Sequence, residues 1–398
     1  MLLLILVLVT ALSFDFTNGF HDTANAVAAS IATGAMRPRV AVTLCGAVNF
    51  VGAFLSIKVA ATIASGIVDQ NVVTLPIVFA GLLGAIAWNV LTWYFGLPSS
   101  SSHALIGGVV GATAVAAGTH AVKMQSIVAK VVIPAVIAPI VAGLVAAVAC
   151  FITYRIAKPS KVPRSARVFK LGQIASASLI SLAHGTNDAQ KTMGIITLAL
   201  VADHRLDKGA NPPTLVIVAC AAAIAAGTYF GGWRIINTMG RRLTDVQAPQ
   251  GFVSDTASAV VLLTSTRAGL PLSTTHITSG AVIGGGIGRP GAVVRWGVAR
   301  RMVVAWVMTL PCAALVGGLA AVATKHGGDP VIFLVAAVAA AALAGVYALS
   351  RRNAVTAKTV TENVPTLGAR VPAIDDGAVS TSAAPAPGDN PASTVMVA

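Results

Sequence analysis

Asn18-Gly19-Phe20-His21-Asp22-Thr23-Ala24-Asn25 is the stretch on which the reading of this chain turns, because it returns, altered, as His184-Gly185-Thr186-Asn187-Asp188-Ala189-Gln190-Lys191. Each copy lies in strongly apolar sequence and sets an Asp three residues after a Gly. A second pair follows in the same order. Gly96-Leu97-Pro98-Ser99-Ser100-Ser101-Ser102-His103 matches Gly269-Leu270-Pro271-Leu272-Ser273-Thr274-Thr275-His276, and Gly107 and Gly111 are answered by Gly280 and Gly284. Two signatures in one order in both halves mark a duplicated chain. Polar and acidic residues at matching points of duplicated apolar sequence point to a transport site within a membrane.

Composition agrees. The chain is 56% hydrophobic and 10% charged with a mean hydropathy of +0.82, whereas soluble domains are about 25% charged. Apolar runs of roughly 20 residues recur, the length a bilayer of ~30 Å requires. The fold class expected is an all-α polytopic membrane protein of about 10–12 transmembrane helices in two inverted-topology repeats with broken or re-entrant segments. The net charge of +14 would suggest nucleic acid in a soluble protein. Here the basic residues cluster in short connections, so the lipid bilayer is the partner and no nucleic acid is expected. Cys45, Cys150, Cys220 and Cys312 all lie in apolar stretches without metal-ligand spacing and read as packing residues.

The division expected along the chain is a first transmembrane repeat over 1–154, a basic cytoplasmic loop over 155–170, a second repeat over 171–323, an extra helix over 330–349 and a disordered tail over 353–398. Met1 to Thr10 resembles the apolar core of a signal peptide. It lacks a basic leader and a clean cleavage site, and is read as membrane helix. Met1 to Met36 is awkward in length, since one helix would span ~54 Å, and a break near Gly19 is expected. Spans follow near 40–66, 74–95 and 129–154, then near 214–238, 251–268 and 302–323. The stretches 97–119 and 270–290 read as thin crossings or re-entrant hairpins.

Arg155, Lys158, Lys161, Arg164, Arg167 and Lys170 without an acid place their loop in the cytoplasm, as do Arg37, Arg39, Arg241 and Arg242 for theirs. Arg351 and Arg352 put the C-terminus inside as well. The loops around Asp69 and from Asp203 to Lys208 fall outside. Five crossings per repeat, an odd number, turn the halves upside down relative to each other.

The acids in apolar sequence are Asp15, Asp22, Asp188 and Asp255. A carboxylate at mid-bilayer costs several kcal/mol unless paired, protonated or hydrated. Asp22 and Asp188 match by repeat and carry a coupling or substrate role. Asp15 matches Ser181, and Asp255 lacks a matched acid. The hydroxyl clusters after Pro98 and Pro271 sit at expected helix starts, where ordinary N-capping and oxyanion binding by free N–H groups are both served. Two such ends facing each other would clasp one anion. His103 and His276 close the clusters, as packing or functional residues. Lys191, one turn beyond Asp188, neutralises it or touches the anion, and Lys58 snorkels.

These residues resemble the inorganic phosphate transporter family, whose repeats each carry Gly-x-Asn-Asp followed by Pro-x-Ser-(Ser/Thr)-(Ser/Thr)-His. Gly185-Thr186-Asn187-Asp188 fits fully, while Gly19-Phe20-His21-Asp22 has His21 where the family commonly has Asn. The resemblance covers about residues 10 to 350. It implies a secondary carrier importing inorganic phosphate by symport, with sodium in some members and protons in others; charge balance, apart from the resemblance, also admits a neutral metal–phosphate complex as the cargo. By that resemblance Asp22, Asn25, Asn187 and Asp188 are substrate or coupling positions, and Ser101, Ser102, Thr274 and Thr275 hold phosphate oxygens. Imidazole is a poor sodium ligand, so His21 tilts the coupling towards protons, with Asp22, Asp188, His21, Asn187 and Lys191 as coupling candidates. No cofactor is expected, no resident metal is assigned, and a homodimer is compatible with the sequence.

Energetics favour symport, since each negative charge moved inward against about 100 mV costs ~2.3 kcal/mol. No nucleotide-binding loop is present to supply ATP drive. Sulfate permease, passive anion channel and phosphate sensor stay open as rivals at this stage, and an enzyme is not expected.

Overall fold

Within a bilayer every backbone N–H and C=O must be bonded inside the protein, so apolar sequence of this length folds as helix. The computed structural model describes residues 1–156, 163–325 and 327–361, with side chains of the segment beginning at Pro163 described from Val168 onward. Among these residues the regular structure is helical, apart from two isolated β-bridges.

The first half runs α1 (Leu2–Ala32), α2 (Pro38–Gly52), α3 (Lys58–Gly66), α4 (Leu75–Phe95), α5 (Ser101–Ala117), α6 (Met124–Ile127) and α7 (Ile133–Ile156), the last two joined through a π-helical turn at Val128–Val132. The second half runs α8 (Pro163–Ala202), α9 (Thr214–Phe230), α10 (Trp233–Asn237), α11 (Ala248–Arg267), α12 (Thr274–Gly288) and α13 (Trp296–Lys325), and α14 (Gly328–Arg352) follows. The halves agree element by element: a long helix, a broken pair, a helix, a short helix after an extended Ser-rich lead, and a long helix. The bridges repeat too, Val68 pairing with Val122 and Thr244 with Val294.

The expected break at Gly19 is absent. α1 runs unbroken through it, and the glycine has another purpose. A side chain there would strike Ile224 O and Thr228 N of α9, and one on Gly185 would strike Asn49 of α2. The motif glycines let two helix backbones touch. The breaks lie in the next span of each half, between α2 and α3 and between α9 and α10, the latter pair bent by 58°. Among the described residues five helices are long and apolar enough to cross a membrane, six with the bent pair counted as one span. α8 and α11 are long enough and carry polar residues inward instead, and α2, α5 and α12 are short. The crossings expected from sequence are therefore assembled partly from pieces.

The halves interlock. α5 packs chiefly on α13 and α12 chiefly on α7, while α1 packs on α9 and α2 on α8. α1 and α8 run antiparallel: Thr33 Oγ1 donates to Gln173 Oε1 at 2.7 Å near one end, and Arg205 reaches Met1 Sδ at 3.5 Å at the other. α5 and α12 start beside each other, where Ser102 Oγ donates to Leu272 O at 3.3 Å, and then diverge. α5 ends beside the Val68–Val122 bridge and α12 beside Thr244 and Val294. Two extended leads followed by short helices thus meet nose to nose. α8 begins at Pro163, within the stretch expected as loop 155–170. Residues 157–162 of that loop, and the expected tail from 362 on, lie outside the described residues.

Candidate functional site

The two opposed helix starts deliver their hydroxyls to one buried centre, and the middle of α1 and of α8 closes it. Ser100 and Ser273 are the caps, accepting from the backbone N–H of His103 at 3.1 Å and of His276 at 3.3 Å. Ordinary capping is therefore present. The hydroxyls of Ser101, Ser102, Thr274 and Thr275 remain for other partners.

Those partners are the motif residues. Asp22 Oδ1 accepts from Ser101 at 3.3 Å and from Thr275 at 3.3 Å, one from each helix start. Thr274 Oγ1 donates to both oxygens of Asp188, at 3.1 and 3.0 Å. Asn25 Nδ2 donates to Thr275 Oγ1 at 3.0 Å, and Lys191 donates to Ser102 Oγ. Asn25 and Lys191 hold the same place in the two motif copies, so the second half repeats the first with an ammonium for an amide. Thr278 completes Asn25 by donating to its Oδ1 at 3.1 Å.

Each acid has a base beside it. His21 Nδ1 lies 2.7 Å from Asp22 Oδ1, and its Nε2 lies 3.0 Å from Thr92 Oγ1. Ser99 Oγ stands 3.4 Å from the same Nε2 and donates to Thr92 at 2.9 Å. Asp188 pairs with Lys191 on the next turn, while His184 Nε2 lies 2.9 Å from Asp188 Oδ2. The carbonyl of Leu272 gathers Lys191 Nζ at 2.9 Å, Asn187 Nδ2 at 3.4 Å and Ser102.

Asp22, Asn25, Ser101, Ser102, Asn187, Asp188, Thr274, Thr275, His21 and Lys191, all singled out from sequence, are buried and brought together. His103 and His276 are brought to each other instead. Their rings stand 4.8 Å apart edge to face, and Trp306 covers His276 at 4.3 Å. Asp255 is not in the centre, facing Ser176 elsewhere. Lys58 is exposed, its Nζ on Arg267 O at 3.2 Å.

Sequence reasoning missed His184, Asn49, Thr228 and Thr92. His184 was legible as the i, i+4 neighbour of Asp188 on one helix face. Asn49 has no such signal. It comes from α2, its Nδ2 lying 3.0 Å from His184 Nδ1 and 2.9 Å from Thr228 Oγ1. The atoms of Asp22, His184 and Asp188 lie within 4.8 Å of one another, a donor set that suits a small cation entering with an anion.

Two opposed helix starts, four hydroxyls and one ammonium are groups whose chemistry suits a tetrahedral oxyanion.

The phosphate transporter family matches residues 18–317. A probable low-affinity inorganic phosphate transporter of Mycobacterium bovis is 58% identical over 316 residues, 79% of this chain and 76% of that protein. A Bacillus subtilis protein of the same description is 42% identical over 326 residues, 80% of this chain and 96% of its own length. Among solved structures, one described as the sodium-dependent phosphate transporter superposes with a TM-score of 0.73 at 22% identity, covering 81% of this chain and 98% of that one. That likeness is of fold.

Proposed function

Because the chain belongs to the phosphate transporter family, a multi-pass membrane family and not an enzymatic one, we propose that it imports inorganic phosphate by proton symport through the centre between α5 and α12. The observation that carries this reading is the sharing of hydroxyls. Ser101, Thr274 and Thr275, which suit phosphate oxygens, are held by the carboxylates of Asp22 and Asp188. Protonating those acids weakens their claim on the donors and removes the negative charge that would repel the substrate. Phosphate and proton then favour the same state of the site, which is the thermodynamic content of symport.

Protons are favoured over sodium by the partners of the acids. His21 takes up an oxygen of Asp22, and the ammonium of Lys191 fills the place beside Asp188 where a bare cation would sit. Asn187 holds the Leu272 carbonyl in position. Equivalent helices α1 and α8 running antiparallel support the inverted repeat, in which the two faces of the site open alternately. A sodium reading draws on the Asp22–His184–Asp188 cluster and on the sodium dependence of the transporter that shares its fold. A divalent ion travelling as a metal–phosphate complex would meet the same three residues.

Labelled phosphate uptake into proteoliposomes holding only this protein decides between them. An inward proton gradient, an inward sodium gradient and no gradient are compared. Accumulation under the proton gradient alone is expected. Accumulation only under sodium would keep the carrier and reverse the coupling ion, and passive equilibration under every condition would replace the carrier by a channel.

A further inference from the structure

Asp15 is a buried acid that the site leaves unused. It sits two turns before Asp22 on α1, is 0% exposed, and neither of its carboxyl oxygens has a hydrogen-bond partner. The acids of the centre, Asp22 and Asp188, each have a base and hydroxyls beside them. Asp15 has no such bonded partner among the described residues.

The duplication supplies an internal control. The motif copies align Asp15 with Ser181, and the surroundings match: Asp15 faces Cys220 of α9, and Ser181 faces Cys45 of α2. Ser181 is satisfied within its own helix, donating to Ala177 O at 2.6 Å. A serine therefore meets every structural need of this position. An acid in the equivalent place brings a burial cost and only the Thr192 hydroxyl beside it, so packing gives no reason for it.

The ionisable groups facing Asp15 are Asp188 and Lys191 of α8 and Cys220 of α9, with the Thr192 hydroxyl beside it. A carboxylate sealed in largely apolar surroundings, with a single hydroxyl near it and no full hydrogen bond, costs several kcal/mol, whereas the neutral acid does not. The nearby ammonium of Lys191 makes the ionised form reachable when the surroundings open. An acid that is neutral when sealed and ionisable when opened is a proton carrier.

We propose that Asp15 binds a coupled proton of the transport cycle, as a neutral carboxylic acid in the closed state. Release breaks one carboxyl O–H bond, leaves a carboxylate facing Lys191, and passes the proton to water on the side to which the site has opened. The inference rests on the proton-symport reading above and assigns to it a group outside the phosphate-binding centre.

The test uses the full chain in proteoliposomes and in detergent. Unaltered protein first shows whether an inward proton gradient drives phosphate accumulation; if it does not, the symport reading fails irrespective of Asp15. Given that it does, Asp15→Asn and Asp15→Ser, the residue of the other half, are expected to lose gradient-driven accumulation and the external alkalinisation that accompanies phosphate entry. Exchange of labelled for unlabelled phosphate at equal concentrations continues in both. Retained accumulation in either variant overturns the proposal, as does joint loss of exchange and accumulation in variants that stay monodisperse. Infrared difference spectra of the unaltered protein give a readout independent of uptake. A protonated carboxylic acid band absent from Asp15→Asn supports the assignment, and identical spectra overturn it.

Discussion

Lys191 stands in the second half where Asn25 stands in the first, and each reaches the hydroxyl at the start of the other half's short helix: Asn25 to Thr275 at 3.0 Å, Lys191 to Ser102. The two halves therefore grip the same space with different charge. Replacing Lys191 by Asn makes the grip symmetric and removes its one fixed cation. A charge-assisted hydrogen bond contributes about 1.5–3 kcal/mol, so phosphate affinity in Lys191→Asn is expected to fall roughly ten- to hundredfold. Calorimetric titration with phosphate measures it, and unchanged affinity would remove Lys191 from the substrate site.

Asp22→Asn and Asp188→Asn keep shape and most hydrogen bonds while removing charge. Each is expected to abolish concentrative uptake in protein that remains folded and monodisperse. Normal uptake in either variant would falsify the central assignment.

His21→Asn restores to the first motif the residue that Asn187 provides in the second. It frees the oxygen of Asp22 now facing imidazole at 2.7 Å and supplies an amide oxygen, a better sodium ligand than a ring nitrogen. Sodium is expected to stimulate uptake by this variant and not by the unaltered protein. Equal sodium responses would show that His21 does not set the coupling ion.

Gly19 is a packing residue, and its substitution acts on stability. Gly19→Leu drives a side chain into the α9 backbone, an overpacking that costs about 1–3 kcal/mol. The melting temperature in detergent is expected to fall, while Gly297→Ala, whose added carbon meets nothing within 4 Å, leaves it in place.

Thr33 and Gln173 touch at 2.7 Å, which requires α1 and α8 to run in opposite directions. With the native cysteines replaced, Thr33→Cys and Gln173→Cys are expected to form a disulfide on mild oxidation. A parallel arrangement would leave the pair a membrane thickness apart and uncrosslinked.

Much of this was legible in the sequence because duplication acts as an alignment within one chain. The paired motifs identified the acids, the hydroxyls and Lys191 without any structure. The reading of Gly19 failed for a physical reason: a glycine in a helix signals either a break or a close approach, and which one depends on α9, two hundred residues away. Asn49 and Thr228 were out of reach on the same grounds, since an Asn or Thr in an apolar span acquires meaning only from its partner. Ser181 and Asp15 lay in plain view as an aligned pair. Their difference became informative once the equivalent surroundings of Cys45 and Cys220 were known.

The crossed packing of α5 on α13 and of α12 on α7 has a consequence for biosynthesis. α5 is made nearly two hundred residues before the helix against which it chiefly rests. At about 5–20 residues per second, roughly 10–40 s pass in which a short helix, too brief to span the bilayer unaided, rests on α4 and lacks its chief mate. The insertion machinery must shelter it for that interval. Mutations along α13 should then be felt first as rapid degradation of newly made chains, before any deficit in uptake by the molecules that survive.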